Sequence, residues 1–147
     1  MRNQRYAALA GAVVTPDLYR AAVSLAGVSD VREFLDYQRQ EDGVDSPSYL
    51  YWVKVIGDPK TDAAALQAAS PRLRAAEIRI PVLLIHGTAD GIVPIEQSRI
   101  MKAALDKAGK PVRLLEIEAE GHSYWSTQNE IKALDATIAF LKPLLTN

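Results

Sequence analysis

The sequence contains no cysteine. Disulfide frameworks, thiolate metal sites and cysteine nucleophiles are therefore excluded. Histidine is nearly as scarce, and His86 and His122 are the only two. No apolar run approaches the ~20 residues of a membrane span, which leaves no membrane partner to expect. Neither sign of charge dominates: 17 Lys+Arg against 18 Asp+Glu leave a net charge of −1. That balance gives no electrostatic case for nucleic acid or an anionic surface. The start, Met1-Arg2-Asn3-Gln4-Arg5, lacks the apolar stretch of a secretory signal, so a cytoplasmic location is expected. Repeats, low-complexity tracts and Ser/Gly linkers are also missing, and residues 1–147 read as one unit. A chain of this length buries roughly 70% of the surface its unfolded form exposes, enough for a sizeable core.

What is present reads as alternating helices and strands. Tyr6–Val14 (YAALAGAVV) is apolar on nearly every side, which predicts a buried helix. Ala21–Gly27 (AAVSLAG) is a short apolar run ended by glycine, consistent with a buried strand. Asp30 and Glu33 resemble a capping box opening a helix with Phe34 and Leu35 inward. Ser46-Pro47 opens the next helix, with Tyr49, Trp52, Val53 and Ile56 at helical spacing. A short alanine-rich helix around Ala63–Ala69 precedes Ser70-Pro71. Ile80–Ile85 (IPVLLI) suits a strand buried on both faces. A helix follows over Ile95–Ala108, with Ile100, Met101, Ala104 and Leu105 on one side and Gly109 as its stop. Val112–Ile117 is the next strand. Thr127 and Glu130 cap a final helix whose Ile131, Leu134, Ile138 and Leu141 form one stripe. The pattern predicts an α/β fold of about three parallel strands flanked by helices. Three strands are few for a sheet covered on both faces, so the pattern resembles a piece of a larger sheet.

In an open parallel sheet, ligands bind beyond the carboxyl ends of the strands. Two loops fall there: His86-Gly87-Thr88-Ala89-Asp90 after IPVLLI, and Glu120-Gly121-His122-Ser123 after VRLLEI. An Asp on one strand-end loop and a His on the next fit the orienting acid and general base of a Ser-His-Asp triad. The carboxylate would fix the imidazole tautomer and stabilise its cation. Asp90 alone would read equally well as a turn residue before Pro94.

The segments HGTADGIVPIEQS and EGHSYW resemble the acid and histidine motifs of the prolyl oligopeptidase family of α/β-hydrolases, especially its dipeptidyl-peptidase and acylaminoacyl-peptidase-like branch. YAAL, YRAAVSLAGVSD, YWVKVIGDP, Ser70-Pro71 and PVLLIHG follow that family's order, so the resemblance runs through almost the whole chain. It implies a truncated α/β-hydrolase fold, with Asp90 as triad acid and His122 as triad base. It also implies that His86 is structural, at the strand end beneath the acid loop, and that Trp52 and Trp125 are core or pocket residues. The family's G-x-S-x-G-G elbow would fall on Met1–Arg5, with Arg2 where its serine stands. The chain thus resembles the C-terminal portion of a hydrolase domain begun just past its nucleophile. Among the other serines, Ser29 is the least implausible substitute, ahead of Ser24 and Ser123, yet no strained elbow surrounds it.

Three functions follow as expectations. One is a serine-peptidase-like or esterase-like hydrolase, inactive or weakly active on a small ester or peptide through Asp90 and His122. A second is a zinc-type esterase or phosphoesterase that recruits His86, Asp90 and His122 as ligands. The third is a non-catalytic piece acting through assembly. An unpaired edge on Ala21–Gly27 would template a homo-oligomer, most simply a dimer.

Overall fold

A computed structural model of the chain describes residues 4–123 and 125–145. Three parallel strands, β1 (Ala22–Leu25), β2 (Val82–Gly87) and β3 (Val112–Ile117), form one sheet in the order β1-β2-β3. Ala22 pairs with Val82, and Val82 in turn with Val112. The helices are α1 (Gln4–Val14), α2 (Val31–Asp42), α3 (Pro47–Ile56), α4 (Ala63–Ala68), α5 (Glu96–Lys107) and α6 (Thr127–Leu145). A 3-10 segment over Pro71–Glu77 leads into β2.

Every residue of β2 is buried, as its unbroken apolar run requires. Its side chains alternate between two cores. Val82 and Leu84 meet Leu9, Ala12 and Val13 of α1 and Met101 and Leu105 of α5. Leu83 and Ile85 meet Ile117 and Ala133 on the α6 side. A third cluster, built on Val31, Leu35, Tyr49 and Leu66, joins α2, α3 and α4. β2 begins at Val82 rather than Ile80 because Pro81 has no N–H to enter the ladder; its carbonyl accepts from Ala22 (3.0 Å). It also runs two residues further than its apolar stretch, so His86 and Gly87 belong to the strand.

The helix caps follow the sequence in part. Ser46 Oγ accepts from the Tyr49 N–H with Pro47 in the first turn, and Gly109 stops α5 at φ 67°. Asp30 accepts from the Arg32 and Glu33 N–H groups, but Glu33 does not reciprocate, because the Asp30 N–H donates to Gln97 Oε1 (2.9 Å). Asp30 is buried and also pairs with Arg72 (2.5 Å), tying α2 to the 3-10 segment. At α6 the cap is Ser126 rather than Thr127: its carbonyl accepts from the Glu130 N–H (2.9 Å).

Two expectations about burial are corrected. α1 is buried on one side only; Val14 is 66% exposed and Ala7 is exposed as well. Alanine hides this sidedness, being apolar yet cheap to leave in water. On α6, Ile131, Leu134 and Ile138 are each more than half exposed and lie outside the core, while Ala133 and Phe140 meet the sheet. The helix has two apolar faces, and the small residue allows the closer approach. Leu105→Ala should therefore cost about 2–5 kcal/mol, whereas Ile131→Gln should change stability by less than about 0.5 kcal/mol. Denaturant unfolding at dilute concentration checks both; comparable losses would place Ile131 in a core.

Candidate active site

The loops after β2 and β3 are bound to each other before any side chain is considered. The Thr88 N–H donates to Ile117 O and the Ala89 N–H to Glu120 O (both 2.9 Å), while the Ala119 N–H donates to Thr88 Oγ1 (2.9 Å). This close approach depends on Gly87: a Cβ there would lie 2.6 Å from the Glu120 carbonyl carbon and 2.8 Å from Gly121 O. Ala119 takes a left-handed conformation (φ 59°) as the second loop turns back.

Within this frame Asp90 has both oxygens engaged. Oδ1 accepts from the N–H groups of Ile92 and Val93 (both 2.9 Å), so the turn-residue reading is also true of it. Oδ2 accepts from His122 Nδ1 (2.8 Å) and faces His86 Nε2 at 3.2 Å. The Asp90 side chain is fully buried and that of His122 is 9% exposed. Burial pushes the Asp90 carboxyl upward, but hydrogen bonds from His122, His86 and the Val93 and Ile92 amides outweigh it. The group is held well below the usual carboxylate range. It is therefore an anion that accepts the Nδ1–H of His122.

His86 is brought to the same carboxylate but from behind. It is fully buried, with Nε2 2.9 Å from Val93 O and Nδ1 2.7 Å from Ser98 Oγ. A carbonyl only accepts, so Nε2 carries the proton and, in the neutral ring, Nδ1 accepts from Ser98. This arrangement does not fit the zinc reading. Both His86 nitrogens are satisfied inside the core, and Asp90 Oδ2 and His122 Nδ1 are bonded directly to each other at 2.8 Å, with no space between them for an ion. Among the described residues no group of three or more His, Asp or Glu side chains is arranged to hold a metal ion.

The serines divide similarly. Ser29 is buried and its hydroxyl donates to Gln97 O (2.6 Å), inside a cluster in which Gln97 Oε1 accepts from the Ser29 and Asp30 N–H groups. Its Oγ is a tie between loop and helix rather than a presented nucleophile. Ser24 is buried in β1 and Ser123 is exposed beside His122. Met1–Asn3, including Arg2, lie outside the described residues. Sequence reasoning did not single out Gln97 and Ser98, although both stand at the end of the HGTADGIVPIEQS segment, where two adjacent polar residues on a buried helix face were the available signal.

Two cavities adjoin His122. One, of about 280 Å³, is lined by Tyr6, Val28, Phe34, Trp52, Val93 and His122. Trp52 packs edge-on against Phe34 (centroids 5.2 Å apart), and the Tyr6 hydroxyl donates to Ala69 O (2.7 Å). The other, of about 410 Å³, opens between the sheet and α6, with Val23, Leu25, Trp125 and Leu134 on its walls.

A parallel sheet with helices on both faces, and an acid and a histidine on neighbouring strand-end loops, defines an α/β-hydrolase fold. The comparisons narrow the class. The model of the prolyl oligopeptidase family matches residues 6–147, and the chain belongs to that family. It is 31% identical to dipeptidyl aminopeptidase BIII of Pseudoxanthomonas mexicana over 95% of this chain and 20% of that protein. It superposes on a puromycin hydrolase with a TM-score of 0.83 at 25% identity, covering 97% of this chain and 21% of that one. A Mycobacterium tuberculosis puromycin-hydrolyzing peptidase gives 0.80 at 27% identity, over 92% and 21%. The chain thus spans about a fifth of the length of these relatives.

The lowered pKa of Asp90 ties stability to pH. A carboxyl whose folded pKa lies below its unfolded value of about 3.9 stabilises fully above that value and loses the contribution as pH falls toward the folded pKa. Asp90→Asn should cost about 1–3 kcal/mol at neutral pH, and the gap to the natural chain should narrow below about pH 4. Urea unfolding at several pH values checks this; a gap that widens in acid would contradict it.

Proposed function

We propose that this chain carries the acid–histidine half of a serine-type hydrolase of peptides or small esters. Asp90 is the orienting acid and His122 the general base. The observation that carries the reading is the 2.8 Å bond from His122 Nδ1 to a buried Asp90 carboxylate at the carboxyl ends of adjacent parallel strands. In the complete reaction Nε2 of His122 takes the proton of the attacking hydroxyl, and Asp90 stabilises the imidazolium that forms. The aromatic and aliphatic walls of the cavity beside His122 suit an apolar substrate side chain. The relatives' names, a dipeptidyl aminopeptidase and puromycin hydrolases, support peptide or amide bonds as the substrate class.

By the resemblance of the YAAL segment the family's serine would fall on Arg2, so we take this chain alone to be inactive or weakly hydrolytic. His122 then activates water toward a reactive ester. A fluorophosphonate probe should leave the chain unlabelled. Any hydrolysis of a p-nitrophenyl ester should fall about 100-fold or more in His122→Ala, the usual scale of general-base catalysis, and should not respond to a chelator. Specific labelling of a serine would overturn the missing-nucleophile part. Loss of activity on chelation and its return with zinc would overturn the non-metal part.

A second reading, assembly, is favoured by two observations. Among the described residues β1 pairs only with β2, and α6 exposes Ile131, Leu134 and Ile138. Both features suit a homo-oligomer, with the β1 side of the sheet as template. Light scattering at micromolar concentration should then give twice the chain mass; a stable monomer would contradict it.

A further inference from the structure

The loop that carries His122 is held at its base by its own first residue. The Glu120 carbonyl accepts from the Ala89 N–H (2.9 Å), one residue before Asp90. Its carboxylate reaches the opposite way: Oε1 accepts from Asn129 Nδ2 (2.7 Å), Ser126 Oγ (2.9 Å) and the Ser126 N–H (3.0 Å). The loop from 120 to 126 is thereby closed onto the first turn of α6. A second clasp lies inside it, where Trp125 Nε1 donates to Gly121 O (2.7 Å). Hydrogen bonds from the Asn129 amide and the Ser126 N–H hold the Glu120 carboxyl below its ordinary range, in keeping with an anion at a helix start. Among the described residues of this loop, Glu120 is bonded to the Asp90 loop through its backbone and to the start of α6 through its side chain.

We propose that Glu120 is a positioning residue for His122. It does not touch the reacting atoms. Its carboxylate fixes the span between the base of the loop and α6, and with it the place from which His122 Nδ1 meets Asp90. If Oε1 lets go, the two ends of the loop are free to separate and the imidazole is no longer held at hydrogen-bond distance. The catalytic meaning of this rests on the function proposed for the Asp90–His122 pair, but its test reads geometry and not turnover, so either can fail without the other.

With only two histidines, ¹⁵N-histidine labelling of the whole chain gives a simple spectrum, and the His122 Nδ1 proton should resonate far downfield because it is donated to a buried carboxylate. Glu120→Gln keeps a carbonyl oxygen for Ser126 and Asn129 and should retain that resonance. Glu120→Ala should lose it, or speed its exchange with water about tenfold or more, the scale of a lost hydrogen bond to a charged group. The His86 resonances should be unchanged. Ser126→Ala combined with Asn129→Ala removes two of the three donors to Oε1 and leaves the Ser126 N–H; it should change the His122 proton in the same direction as Glu120→Ala, which keeps the question open to test if Glu120→Ala does not fold. A folded Glu120→Ala or double variant with a natural His122 proton would overturn the proposal. So would Glu120→Gln behaving like Glu120→Ala, since Gln preserves the bonds invoked.

Discussion

A carboxylate shut away from water must have its charge answered by nearby donors, and Asp90 is answered from four directions. Two backbone amides of its own turn bind Oδ1, His122 binds Oδ2, and His86 faces the same oxygen from inside the core. Each donor belongs to a different constraint on the fold. The turn fixes the loop after β2, His86 is anchored to Val93 and Ser98, and His122 arrives on the loop after β3. Removing one donor leaves a buried anion short of partners, a larger loss than the bond itself. The fold around the site is arranged to bring these donors to one point.

That convergence requires two strand-end loops to touch, and the sheet alone does not provide this. Adjacent parallel strands bring loop bases within reach, but the backbone contact between residues 88–89 and 117–120 is possible only because residue 87 has no side chain. The polar cluster at Ser29, Asp30 and Gln97 performs a similar task on the other side, tying the loop after β1 to the start of α5. With that tie in place, Val28 and Phe34 line the cavity beside His122.

Much of this was legible in the sequence, and the reasons differ by element. β2 was visible because a strand buried on both faces must be apolar throughout, and β3 because Val112, Leu114, Leu115 and Ile117 stand close together in a short run after Pro111. Asp90 and His122 could be paired because both follow such strands directly. The inward face of α6 was not legible, since Ile131, Leu134 and Ile138 are periodic yet exposed, and periodicity does not say which apolar face meets the sheet. The metal reading of His86 failed for a related reason. Ligand type and spacing do not reveal that both of its nitrogens are already engaged, by Ser98 and Val93. The Gln97 bonds join segments far apart in sequence and the Glu120 side-chain bonds close a short loop; both follow from loop packing, and single-residue propensities do not specify them.

The central claim is that one buried carboxylate orders two histidines in opposite senses. Tautomer-resolved ¹⁵N spectra of the neutral form of the two imidazoles test it most directly. The account predicts the Nδ1–H form for His122, donating to Asp90, and the Nε2–H form for His86, donating toward Val93. An Nε2–H form at His122 would contradict it, because Asp90 would then not be the acceptor that orients the ring.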